Sequence, residues 1–313
     1  MILVAGLTPA WQQIAVLDRL QVGEVNRARE VHWCASGKVL NVGLALTQLG
    51  ASVRTLSLVG NGAAGEATQR DMSALGVDVR WIESNAPQRV CTTLLDRESG
   101  QTTEIVENSA SASETELIAF ETAFAEEAEK SNAEFLILSG SLPIGTPKEF
   151  FAKLLGRVRA PAILDIRGEE LLAALPHRPL IIKPNREELG HTVRRELSTD
   201  DDVWRAMSEL NAGGAEWVVV TNGSREVFAS RGEVRLRFQP PQVHVVNPIG
   251  CGDCFTAGFA WSLQRGDQMP TAIRTGIAAA AQNAEQLLPA RLDAKLVALS
   301  LRDRTAGRVV DVD

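Results

Sequence analysis

The stretch Asn247-Pro248-Ile249-Gly250-Cys251-Gly252-Asp253 sets two glycines around one residue and follows them with an acid, just before the apolar run Cys254 to Ala260. Glycines there let a backbone approach phosphate oxygens closely, and the amides of a helix N-terminus gather partial positive charge where an anion would sit. A carboxylate beside such a turn can accept the proton of an attacking hydroxyl. The spacing suits phosphoryl transfer, with Gly250, Cys251 and Gly252 as the anion cradle and Asp253 as the base. A plain glycine turn with an acid in the first helical turn would share the same pattern.

Cys251 and Cys254 also make a CxxC pair at a helix start, where a thiol pKa can fall, so a redox pair is a second reading. No second cysteine or histidine pair completes a zinc set, and Cys34 and Cys91 are too scattered for a disulfide scaffold. Lys38 follows Gly37 at the start of another helical pattern, a position suited to holding an anion.

Such residues need a scaffold, and the apolar runs outline one. Ile2 to Leu7 reads as a buried first strand ended by Thr8-Pro9. Ile14 to Leu20 and Asn26 to Trp33 alternate apolar and polar residues, as in antiparallel strands with one wet face. A helix from Val39 to Leu49 stops at Gly50, the strand Val53 to Val59 follows, and a helix from Gly65 ends at Gly76. Val77 to Glu83, Arg89 to Asp96 and Thr102 to Glu107 then come with no helix between them. With the two early runs they supply strands for a separate small sheet.

The alternation of strand and helix resumes: a helix from Glu114 to Lys130, the strand Glu134 to Ser139, a helix from Lys148 to Val158, the strand Ala162 to Ile166 and a helix near Glu169 to Ala174. Leu180 to Lys183 is a strand and Pro184 to Glu188 a loop. A helix from Asp200 to Ala212 precedes the strand Trp217 to Thr221. Val227 to Ala229 and Val234 to Phe238 form a hairpin, and helices from Gly252 to Gln264 and Thr271 to Leu287 complete the chain. The expected fold is α/β: a doubly wound, mostly parallel sheet flanked by helices, whose ligand crevice lies at the carboxyl ends of the strands. Lys38, Ser139, Lys183, Asn185, Thr221 and Asp253 all fall at such ends or at helix starts.

The 313 residues are 45% hydrophobic and 23% charged, and the formal charge is -7 with no run of lysine or arginine. That argues against a nucleic-acid groove or an anionic membrane surface and for a small-molecule partner. The start has no basic n-region, and no apolar run approaches the roughly 20 residues that span a bilayer, so a cytoplasmic protein is expected.

With these motifs placed, the chain resembles the ribokinase-like (PfkB) carbohydrate kinases, in particular their 1-phosphofructokinase and tagatose-6-phosphate kinase branch. The resemblance runs from Leu7 to about Asp293 and rests on ordered blocks: Gly23-Glu24-Val25-Asn26-Arg27-Ala28, Gly37-Lys38-x-x-Asn41-Val42, Ser139-Gly140-Ser141-Leu142-Pro143, Ile182-Lys183-Pro184-Asn185-x-x-Glu188, and the opening stretch. It implies a single domain over 1–313 with a β-sheet lid formed by two insertions, about 13–34 and 86–108. ATP, Mg²⁺ and phosphorylation of a ketose phosphate are implied with it, most simply fructose 1-phosphate to fructose 1,6-bisphosphate. Tagatose-6-phosphate kinase and 6-phosphofructokinase activity are the alternatives.

Position by position, the resemblance makes Asp253 the base, with Gly250, Cys251 and Gly252 around the anion. It places Gln12, Arg27, Gly37, Lys38, Asn41, Arg89 and Ser139 at the sugar phosphate, Arg27 on a lid strand of this or a partner subunit. Lys183, Asn185, Glu188, Thr221, Gly223 and Asn283 go to the nucleotide, with Asn185 and Glu188 organising Mg²⁺ through water. A homodimer joined through the lid is also implied.

The chain departs from the family pattern in places. Gln12 stands where an acid is usual and carries no charge, Val39 replaces a glycine, and Pro248 replaces a threonine before the anion turn. These changes motivate a competing reading as a non-catalytic sugar- or nucleotide-binding protein on the kinase fold.

Overall fold

The computed structural model describes residues 1–302 and 308–310. Fourteen strands and ten α-helices follow one another among these residues. The first half comprises β1 (Ile2–Gly6), β2 (Ala10–Leu17), β3 (Glu30–Ser36), α1 (Lys38–Gln48), β4 (Val53–Asn61), α2 (Gly62–Ala74), β5 (Val79–Pro87), β6 (Val90–Asp96), β7 (Thr102–Val106) and α3 (Glu114–Ser131). It continues through β8 (Phe135–Ser139), α4 (Phe150–Leu155), β9 (Ala162–Asp165), α5 (Gly168–Ala174), β10 (Ile181–Ile182), α6 (Arg186–Thr192), α7 (Asp200–Gly213) and β11 (Trp217–Val220). The last elements are β12 (Val227–Arg231), β13 (Val234–Gln239), α8 (Cys251–Gln264), α9 (Met269–Ala284), α10 (Ala294–Arg302) and β14 (Arg308–Val310).

Ten strands form one sheet in the order β14-β13-β12-β11-β10-β9-β8-β1-β4-β5. From β11 to β5 every pairing is parallel, and β12 to β14 add an antiparallel edge. The central strands bury both faces, so successive side chains enter different cores. Ile2 and Val4 pack with α1, α8 and α9 on one side, while Leu3 and Ala5 pack with α3, α4 and α7 on the other. The doubly wound expectation holds. Helices α8 and α9 touch closely: a Cβ on Gly258 would lie 2.7 Å from the Cβ of Ala279 and 2.8 Å from the carbonyl of Thr275. That contact holds the middle of α8 against α9.

The second sheet has four strands in the order β3-β2-β6-β7. The expectation of five strand-like runs in it needs correction. β5 leaves it and pairs in parallel with β4 at the edge of the large sheet. The intervening helix α2 makes β4-α2-β5 a βαβ unit, and such a crossover returns its strand to the same sheet. Nor is the small sheet wholly antiparallel, because β2 and β6 come from separate stretches of the chain and pair in parallel, Trp11 opposite Val90 through Leu17 opposite Asp96. The first two runs also shift: β2 starts at Ala10 and β3 at Glu30, leaving the stretch between them as exposed loop. Two helices, α6 and α10, have no counterpart in the sequence expectation.

Candidate functional site

A cavity of about 770 Å³ opens at the carboxyl ends of β1, β8, β9, β10 and β11, between the two sheets and the start of α8. The inner face of the small sheet contributes Gln12, Cys91, Glu104 and Val106; the far end is apolar, with Pro240, Pro241, Val245, Ile277, Ala280 and Ala284. A polar lobe and an apolar lobe therefore meet at Gly250, Cys251, Gly252 and Asp253.

The anion turn is built by its neighbours. Gly250 caps α8 at φ 82°, and a Cβ there would come within 2.9 Å of Pro289, so the position demands glycine. Asn283 pins the turn from beneath: its Nδ2 donates to the Ile249 carbonyl at 2.8 Å, and its Oδ1 accepts from the Ala290 amide at 2.7 Å. Asn247 caps the same loop by donating to the Leu287 carbonyl and accepting from the Ile249 amide. The amides of Gly252 and Asp253 belong to the first helical turn, whose N–H groups lack an intrahelical acceptor. The Cys251 amide already donates to the Pro248 carbonyl at 3.2 Å, so within the first turn the Gly252 and Asp253 amides are the ones open to an anion.

Asp253 is 7% exposed, and Asn41 of α1 donates to its Oδ2 at 2.7 Å. Burial and the charge of Asp165 push its pKa up to about 6, against the pull of Lys38, Asn41 and Lys183. A carboxylate tuned there exchanges a proton near neutral pH.

Asp165, at the end of β9, is absent from the sequence expectation and is the hub of the site. It is 1% exposed; Lys38 donates to its Oδ1 at 3.0 Å, Thr256 to its Oδ2 at 3.0 Å, and the Lys183 ammonium lies 3.2 Å from Oδ2. Burial would raise its pKa, but Lys183 and Lys38 hold it below the ordinary carboxylate range. Lys38 is shared: its ammonium also donates to Oε1 of Glu188 at 3.0 Å. Burial disfavours that ammonium, yet Asp165, Glu188 and Asp253 together keep it protonated well above the usual lysine range. The available signal for Asp165 is an acid closing the apolar run Ala162-Ile163-Leu164 at a strand end.

Asn185 and Glu188 lie at the start of helix α6, not in a loop. They form a reciprocal capping box, Asn185 Oδ1 accepting from the Glu188 amide at 2.7 Å and Glu188 Oε2 from the Asn185 amide at 2.9 Å. Thr221 bridges in parallel to Asn185, and Gly223 lines the cavity beyond it. Gly37, at φ 93°, caps α1 and packs against the Thr8-Pro9 turn, so that Lys38 and Asn41 face the same crevice. Gln12 lines the cavity and donates to Thr93 at 2.8 Å.

Arg89 also lines the cavity, but its guanidinium is engaged by carbonyls: Nη2 donates to Thr8 at 2.6 Å and Nε to Pro9 at 3.0 Å. Burial lowers its pKa. It latches β6 to the turn after β1. Arg167, the N-cap of α5, lines the cavity as well and is a further residue that the sequence expectation lacks.

Three candidates lie elsewhere. Arg27 is exposed in the loop between β2 and β3, not on a strand, and does not line the cavity. Ser139 is fully buried at the end of β8, and Gly140 and Ser141 reach the cavity in its place. Asn283 sits under the turn as its support. The redox reading fails on the thiols. Burial pushes both Cys251 and Cys254 above the ordinary thiol range, the reverse of a reactive pair, and Cys254 has no solvent exposure. Among the described residues, no group of three or more His, Cys, Asp or Glu side chains is arranged to ligate a metal ion directly, and no helix is long and apolar enough to cross a membrane.

The family model described as pfkB family carbohydrate kinase matches residues 2–292. Phosphofructokinase-2 from Escherichia coli in complex with fructose-6-phosphate superposes with a TM-score of 0.81 at 27% identity, covering 96% of this chain and 99% of that one. A possible 1-phosphofructokinase from Thermotoga maritima gives 0.89 over the whole of both chains at 16% identity, a likeness of fold. Ribokinase from the same organism gives 0.75 at 20% identity, covering 96% of this chain and 99% of that one, likewise in fold.

Proposed function

Because the chain belongs to the pfkB family of carbohydrate kinases, we propose that it transfers the γ-phosphoryl group of ATP to the free primary hydroxyl of a ketose monophosphate, fructose 1-phosphate giving fructose 1,6-bisphosphate. One observation carries this reading: a buried carboxylate, Asp253, stands at the N-terminus of α8 where a polar lobe and an apolar lobe of one cavity meet. The sugar phosphate fits the polar lobe under the small sheet, which acts as the lid. The nucleobase fits the apolar lobe against α9, where Ala280 and Ala284 leave a flat wall. Asp253 takes the hydroxyl proton, and the first-turn amides of α8 meet the charge that develops on the transferred group. Lys38, Lys183 and Arg167 are the cations at hand for phosphate oxygens, with Arg89 at the lid side.

The donor set fits a hard divalent cation. Asp165 and Glu188 are buried carboxylates lining the cavity; Oδ1 of Asp165 and both oxygens of Glu188 each have one partner and keep a lone pair for metal-bound water, whereas Oδ2 of Asp165 is taken up by Thr256 and Lys183. Glu188, positioned by Asn185, would hold Mg²⁺ through water; when bound, the ion neutralises charge on the nucleotide phosphates.

A second reading is fructose 6-phosphate as acceptor, favoured by the 27% identity to a phosphofructokinase-2 solved with that sugar phosphate. A coupled assay with ATP and Mg²⁺ against fructose 1-phosphate, fructose 6-phosphate, tagatose 6-phosphate and ribose separates the readings. The expected result is the highest kcat/KM with fructose 1-phosphate. Highest kcat/KM with fructose 6-phosphate would select the second reading, and binding without transfer to any acceptor would select the non-catalytic one.

A further inference from the structure

Lys38 is the first residue of α1, the end of a helix where a cation is disfavoured. Its ammonium nevertheless lies 3.0 Å from one oxygen of Asp165 and 3.0 Å from one oxygen of Glu188. Each carboxylate has a second anchor on its other oxygen. Asp165 Oδ2 is met by Thr256 and Lys183, and Glu188 Oε2 accepts from the Asn185 amide. The two carboxylates are therefore fixed by groups other than Lys38. Lys38 itself hangs on a flexible four-carbon stem and remains 35% exposed to the cavity. What holds it is the charge of the pair, together with that of Asp253 nearby.

Lys183 meets Asp165, and Lys38 is the cation within ion-pair distance of both buried carboxylates, so it compensates Glu188 while bridging it to Asp165. A hydrated divalent ion would satisfy them more fully than one ammonium, and the two cannot share the place. A lysine freed from that place has within reach the other anions that the cavity receives, the phosphates, for which a mobile point charge is well suited.

We propose that Lys38 is a built-in counter-ion, holding between Asp165 and Glu188 the position that a divalent cation takes when the metal–nucleotide complex binds, and that its displacement turns the ammonium onto the phosphoryl group in transfer. This rests on the kinase reading for the destination of Lys38, but its first half concerns only the cation and the two carboxylates.

The test is therefore a binding measurement. Mn²⁺ is titrated into the protein without nucleotide or sugar, and free ion is followed by electron paramagnetic resonance. Lys38→Met, which removes the competing charge and keeps the length, is expected to bind Mn²⁺ about tenfold or more tightly than wild type. Lys38→Arg, which keeps the charge, is expected to stay as weak as wild type and controls for altered packing. Equal Mn²⁺ affinity in wild type and Lys38→Met overturns the proposal. A second measurement needs no variant: in a crystal of the wild-type protein with Mg²⁺ and ADP, the Lys38 ammonium is expected to have left both carboxylates, and its retention on both overturns the proposal as well. Failure of every acceptor in the substrate panel alongside tighter Mn²⁺ binding by Lys38→Met would sink the kinase reading while keeping Lys38 as the counter-ion.

Discussion

At the scale of single residues, Asp253 shows a conflict between function and stability. Burial and Asp165 raise its pKa from 3.8 to about 6, so the folded state binds this proton more tightly than the unfolded chain does. The associated stability is present in full below about pH 4 and is lost as the pH rises through about 6, a loss of about 3 kcal/mol at neutral pH. Asparagine has the shape of the protonated acid and avoids that loss. Asp253→Asn is thus expected to melt several degrees higher than wild type at pH 7.5, with the gain shrinking towards pH 5, as calorimetry at the two values would register. The same variant is expected to lose on the order of 10²–10⁴ in kcat while retaining ATP, because the proton acceptor is gone. In the wild type, kcat should fall on the acid side with a midpoint near pH 6. A melting temperature that drops equally at both values would mean that the carboxylate is held by its partners and not burdened by burial.

At the scale of elements, the site depends on how closely α8 lies against α9. Gly258 and Gly276 allow that approach: a Cβ at Gly276 would come within 2.9 Å of the Phe255 carbonyl, much as one at Gly258 would meet Ala279. Gly258→Val must push the helices apart, at a cost of about 1–3 kcal/mol or more. The displacement also reaches the start of α8, because Asn283 on α9 holds the Ile249 carbonyl. The expected outcome is a lower melting temperature with a fall in kcat at least tenfold larger than any change in the KM for ATP, measured by calorimetry and steady-state kinetics. Loss of stability with unchanged kcat would show that the turn is positioned by its own loop. The helix α6 is the matching case on the other side of the cavity. Its capping box uses the same Asn185 and Glu188 that the family pattern marks as a metal motif, so one pair of side chains both starts a helix and presents a carboxylate oxygen to Lys38.

At the scale of the whole molecule, the small sheet leaves an apolar outer face. Trp11 and Trp33 stack across β2 and β3 with ring centroids 6.1 Å apart, and Val31, Trp33 and Ile105 are 46%, 45% and 57% exposed. A second copy of the chain is the proposed cover, by a two-fold contact that also bears on the lid. Wild type is expected to sediment as a dimer and the double variant Trp33→Lys with Ile105→Lys as a monomer at micromolar concentration; a monomeric wild type would remove the proposal. Much of the architecture was legible in the chain itself. Buried parallel strands read as unbroken apolar runs, and glycine at a helix cap reads as a stop, because both patterns follow from local geometry. The turn Gly250-Cys251-Gly252-Asp253 was legible as a helix start for the same reason: the glycines and the acid that mark it are four adjacent residues. What the chain could not reveal alone was every contact made across it. Asp165 gained its place only when β9 brought it 3.0 Å from Lys38, 127 positions away in sequence, and Arg89 proved to hold carbonyls of the turn after β1. The assignment of β5 to the large sheet and the burial of Ser139 were likewise decided by packing. Neighbouring residues carry spacing and backbone conformation, whereas charge pairing, burial and the pKa values that follow from them exist only after the strands have assembled.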